Sequence, residues 1–174
     1  INATITLNKE VLRLDNINIQ GTISSKQTND KSIAMLLTGN AIAHTNSINL
    51  QPLSLKLANL DATGYLTLND FNAPDFKGAI NVSTFNAINF LNTFGIKTNF
   101  KNNTALNQVS FNTLFSGNSN QFKLSGINAK IDNATLKGKI SLDDLKTKTG
   151  KFTVYADHLN LDHYIENNNN NTSS

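Results

Sequence analysis

A period of two governs this chain. Apolar residues alternate with polar ones at Ile5 and Leu7, at Leu12 and Leu14, and at Ile17 and Ile19, with Ile23 continuing the theme. The pattern returns at Leu53, Leu55 and Leu57, at Leu66 and Leu68, and at Ile80 and Val82. It returns again at Phe122 and Leu124, at Ile127, Ala129 and Ile131, at Ile140 and Leu142, and at Phe152 and Val154. Successive side chains of a strand point to opposite faces, so such segments bury one face and wet the other. That suits antiparallel sheets. Parallel strands would need crossover helices between them, and the pattern leaves no room for those. The chain is therefore expected to be all-β: an elongated, curled antiparallel sheet of repeated hairpins, groove-like or folded over. One short helix is expected near 86–94. Thr84 or Asn86 can cap its start, Ala87, Phe90, Leu91 and Phe94 take helical spacing, and Gly95 fits the position after its end.

The hairpins repeat. At an offset of 74, residues 33–91 lie over 107–165 without a gap, with nine identities in 59 positions and a matched apolar register. Leu50 falls on Leu124, Leu57 on Ile131, Gly64 on Gly138, Leu66 on Ile140 and Asn86 on Asn160. A shorter piece, Leu14-Asp15-Asn16 with Gly21, matches Leu57-Ala58-Asn59 with Gly64 and Ile131-Asp132-Asn133 with Gly138. All three are read as hairpins turned at Asp/Asn, with a glycine in the return strand marking a bulge or a close backbone approach. Residues 1–165 are expected to form one domain containing these related segments. Residues 166–174, an Asn-rich run ending Thr-Ser-Ser, are expected to be a disordered tail.

Composition narrows the chemistry. Cysteine is absent, which removes thiol nucleophiles, thiolate metal ligands and disulfides. The net charge of +3 is spread through the strands without a basic stripe or an aromatic platform, so nucleic acid is not an expected partner. No window approaches the roughly 20 apolar residues of a membrane helix. The chain opens at Ile1, already in an alternating segment, and reads as an excerpt of a longer protein, with room upstream for a targeting segment.

Several motifs, in order, resemble the AsmA family of Gram-negative envelope proteins. They are Phe76-Lys77-Gly78-Ala79-Ile80-Asn81-Val82 followed by Phe85-Asn86, then Phe90-Leu91 with Phe94-Gly95-Ile96, then Ala105-Leu106-Asn107-Gln108-Val109-Ser110-Phe111. Leu136-Lys137-Gly138-Lys139-Ile140-Ser141-Leu142 and Leu159-Asn160-Leu161-Asp162-His163-Tyr164-Ile165 complete the set. Asn89 and His163 stand where the family often carries basic residues. The resemblance implies a periplasmic domain, tethered to the inner membrane by an N-terminal segment not present here. Membrane contact would then run through segments outside this chain. It also implies a part in outer-membrane biogenesis through phospholipid or another acyl-chain ligand, with other envelope proteins as partners.

No catalytic or metal constellation is expected, and no cofactor. His158 and His163, with Asp157 and Asp162, fall on opposite faces of a strand and at an awkward helical angle, so they read as solvated polar residues. His44 is isolated. Asp70 and the pair Asp143 and Asp144 follow strands, where carboxylates cap turns rather than oppose one another across a cleft. The candidate functional residues are apolar: Leu66, Leu68, Ile80, Val82, Ile140, Leu142 and Val154, a lining for acyl chains. Taken singly, each of the seven reads first as core, packed against an opposing sheet layer or the helix at 86–94, because a domain of this size also needs a core. The functional expectation is a non-catalytic lipid-binding or lipid-guiding domain. The alternatives are a structural or protein-interaction scaffold without lipid and, more remotely, an adhesin or stalk module.

Overall fold

The computed structural model describes residues 1–8, 10–24, 32–100, 102 and 104–165. The expected tail at 166–174 lies outside them. Ten strands follow one another: β1 (Asn2–Asn8), β2 (Val11–Ile23), β3 (Ile33–His44), β4 (Ser47–Leu57), β5 (Leu60–Asn69), β6 (Asp75–Phe85), β7 (Val109–Asn118), β8 (Phe122–Ile131), β9 (Ala134–Asp144) and β10 (Thr149–Asp157). They form one sheet in chain order, each antiparallel to the next, so among the described residues β1 and β10 are its two edge strands. Among the described residues no helix is long and apolar enough to cross a membrane.

The repeat is carried in the hydrogen-bond register. Strands β3 to β6 and β7 to β10 pair alike at the sequence offset of 74. Leu50 opposes Leu66 and Leu57 opposes Leu60, while Leu124 opposes Ile140 and Ile131 opposes Ala134. Both copies break register at the same place, between Leu50 and Leu53 and between Leu124 and Ile127. The two bulges use different residues at the equivalent position: Pro52, after a cis peptide bond, in one and Gly126, at φ +60°, in the other. The turn residues Ala58 and Asp132 are also equivalent, with φ of +53° and +52°.

The third sequence match does not form a hairpin. Leu14, Asp15 and Asn16 lie inside the continuous strand β2, where Asn16 takes φ +55° at a bulge between Leu14 and Ile17. Its amide is held by the Asn40 side chain at 2.9 Å. An Asn that tolerates a left-handed backbone serves a bulge as well as a turn. What differs is the next strand to pair: β2 runs on to meet β3 over its whole length.

The expected helix is α1 (Ala87–Thr93). The Asn86 side chain accepts from the Asn89 amide at 2.7 Å and caps its start. At the other end the Gly95 and Ile96 amides donate to the Asn92 and Leu91 carbonyls, with Gly95 at φ +76°, which closes a Schellman motif. A one-turn 3₁₀ helix, Leu161–Tyr164, occupies the equivalent place after β10, capped by Asn160. Both helices dock at one end of the sheet. Asn59 donates to the Asn86 carbonyl at 2.8 Å, Ala87 N–H to the Leu106 carbonyl at 2.9 Å, and Tyr164 O–H to Asp132 at 3.0 Å. Asp132 also accepts from the amides of Leu106 and Gln108 and so ties this end together.

Candidate functional site: an apolar sheet face

Directly opposed residues of antiparallel strands project from the same face, so the register can be read across the sheet as rows. One row runs Ile5, Leu14, Ala41, Leu50, Leu66, Gly78, Phe115, Leu124, Ile140, Phe152. Two residues along each strand, the next runs Leu7, Leu12, Ala43, Ile48, Leu68, Phe76, Gly117, Phe122, Leu142, Gly150. Neither row contains a polar side chain. The opposite face carries rows such as Asn2, Asn18, Thr38, Ser54, Thr63, Asn81, Asn112, Asn128, Lys137, Tyr155.

The structure brings all seven sequence candidates onto the apolar face. Leu66 and Ile140 share the first row, Leu68 and Leu142 the second; Ile80 and Val154 lie two residues further toward the helix-capped end, and Val82 two beyond Ile80. Their exposure differs. Val82 is buried, at 3%, directly opposite the buried Ala62, so it is core rather than lining. Leu66, Leu68, Ile80, Ile140 and Leu142 are half-buried, and Val154, on the edge strand, is 46% exposed. Among the described residues no large side chain is fully buried. Among the described residues each strand packs substantially only on its neighbours in one open sheet, so no second layer folds over this face.

The face is not flat. Gly64 sits between Leu53 and Ile80, and Gly138 between Ile127 and Val154. At both, an added Cβ would collide with the carbonyl oxygen of the neighbouring strand, that of Ala79 or Thr153. Over Gly64 the missing side chain leaves a trough of about 260 Å³, walled by Leu37, Leu53, Leu55, Leu66, Ile80 and Phe115. Further along, Gly117 lets Phe76 and Phe122 approach with ring centroids 6.3 Å apart, and Phe115 lies 6.4 Å from Phe76. Phe76, Phe115, Leu53 and Leu55 were not among the sequence candidates. For Phe76, Phe115 and Leu53 the signal is a glycine opposed by a large apolar residue on each neighbouring strand, and it appears only once the register is known; Leu55 opposes Leu37 and Ala62.

The polar groups hold turns. Asp144 accepts from the amides of Lys146 at 2.7 Å and Thr147 at 3.2 Å, and these bonds hold its carboxyl below the usual range. Asp70 accepts from Asn72 N–H at 3.1 Å. Burial, then the bond to Asp132, raises the Tyr164 phenol above its ordinary value. His158 follows β10 at φ +49° and His163 lies in the 3₁₀ turn rather than in a strand. Among the described residues no three His, Asp or Glu side chains gather as metal ligands. No family model matches the chain, nor does any curated protein or solved structure.

Proposed function

We propose that the chain is a non-catalytic periplasmic domain that supports outer-membrane biogenesis by binding or guiding phospholipid along its apolar face. The observation behind this reading is the pair of uninterrupted apolar rows crossing all ten strands with no layer opposing them. An apolar face of this extent in water is costly, and each methylene moved onto it from water contributes about 0.8 kcal/mol. An acyl chain can run along a row because no charge interrupts it, and the trough over Gly64 gives it a recess. The resemblance of 33–165 to AsmA-like motifs supports the periplasmic setting and an upstream inner-membrane tether.

Photo-crosslinking decides it. A crosslinker at Leu66 or Ile140 should capture phospholipid in cells, and one at Thr63 or Asn128 on the polar face should not. Extraction of the purified protein should yield phospholipid. Absence of lipid from both experiments refutes the reading. The position of β1 and β10 as edge strands among the described residues favours a second reading, a scaffold that binds other envelope proteins through its sheet edges. Protein rather than lipid captured from the strand edges would support it.

A further inference from the structure

The free edge of β10 is a strand with an unpaired side, and the geometry points to a second copy of this chain as its occupant. We propose an isologous dimer in which two β10 strands pair antiparallel about Val154. The first observation is orientation. The Thr153 carbonyl points at Gly138 on β9, where it would meet an added Cβ. Backbone groups alternate along a strand, so those of Phe152, Val154 and Ala156 point outward. Among the described residues, 158–165 add no strand to that side. They turn back to the helix-capped end, where Tyr164 bonds Asp132. Phe152 is 79% exposed and Tyr155 72%.

The second observation is self-complementarity. With Val154 opposite its own copy, Phe152 faces Ala156, Thr153 faces Tyr155 and Lys151 faces Asp157, each twice by symmetry. Phe152, Val154 and Ala156 are apolar and share the apolar face; Lys151 and Asp157 share the polar face. The strand thus carries opposite charges placed symmetrically about Val154, as a two-fold contact requires. Asp157 Oδ1 accepts from the Thr135 amide at 2.5 Å, which fixes the carboxylate at this end of the strand. The other edge offers no such match. Strand β1 is Asn-Ala-Thr-Ile-Thr-Leu-Asn, without a charge to set against Lys151 or Asp157. A two-fold axis normal to the sheet keeps both apolar faces on the same side. The dimer therefore joins two ten-stranded faces into one.

The test is sedimentation equilibrium of the whole chain with three kinds of variant. Lys151→Asp sets like charges across both ends of the seam and should weaken the dimer at least about tenfold. The exchange Lys151→Asp with Asp157→Lys should restore it. Val154→Pro removes an outward amide that β9 does not use, and should also give monomer. The chain has no cysteine of its own. Val154→Cys should therefore oxidise to a disulfide-linked dimer, and Lys151→Cys, whose copy lies far along the seam, should not. A monomer at every concentration overturns the proposal. So does a dimer indifferent to the charge reversal, or an assembly that grows past two copies, since a β10–β1 contact does not close.

Discussion

Replacing Gly64 with alanine adds one methyl group where the sheet has no space for it. The new Cβ would overlap the Ala79 carbonyl oxygen, a backbone atom of the neighbouring strand that cannot swing aside. Overpacking of this kind costs about 1–3 kcal/mol. Loss of glycine's freedom in the unfolded chain returns about 0.4–1 kcal/mol. The net expectation is a loss of about 1–2 kcal/mol. At a urea m-value of roughly 2 kcal/mol per molar, the unfolding midpoint should fall by about 0.5–1 M. Gly21 is the internal control. It too lies in a strand, but its added Cβ would meet only Met35 Cε, at 3.7 Å, an ordinary contact. Gly21→Ala should therefore leave the midpoint unchanged or raise it by about 0.2–0.5 M. Gly138→Ala, the repeat equivalent of Gly64, should fall with Gly64→Ala because it meets the Thr153 carbonyl in the same way. Equal effects at Gly21 and Gly64, or a Gly64→Ala protein as stable as the parent, would refute the close-approach argument.

Two further expectations rest on single contacts. Val82→Ala removes two buried carbons from a 3%-exposed site and should cost about 2 kcal/mol, whereas Val154→Ala, at a 46%-exposed site, should cost under about 1 kcal/mol; urea midpoints compare them. Tyr164 has its phenol raised in the folded state, so its contribution is whole below its unfolded value of 10.0 and is lost as the pH climbs through the folded one. Wild type should therefore lose more stability than Tyr164→Phe on passing above pH 10.0, and parallel losses would contradict the Asp132 contact.

The sheet was legible where one strand carries strict alternation. Leu66, Leu68, Ile140 and Leu142 announced β5 and β9 and the face they share. Strands β3 and β7 were not among the alternating segments, for a physical reason. On the apolar face β3 presents Gly39, Ala41 and Ala43, and β7 presents Thr113 and Gly117, so the contrast between faces fades. These small residues lie beside large ones on neighbouring strands, a relation that exists only across hydrogen bonds. The Asn16 bulge was read as a turn because both conformations ask the same thing of one residue. The 3₁₀ turn at Leu161–Tyr164 was hidden because Leu159 and Leu161 mimic a strand. Its repeat counterpart α1 was visible because Phe90, Leu91 and Phe94 keep helical spacing.

Every strand of this sheet is hydrogen-bonded only to the strands before and after it in the chain. Distant segments owe each other little, so the molecule resembles a ladder more than a knot. Rungs can be lost from either end while the middle persists, as in other linear arrays. In a single copy of the chain amide exchange should accordingly be fastest in β1 and β10 and slow progressively toward β5 and β6, and pairing of β10 with a second copy should slow it there and leave β1 fastest. Lengthening such a molecule by another four strands would ask nothing new of those already in place.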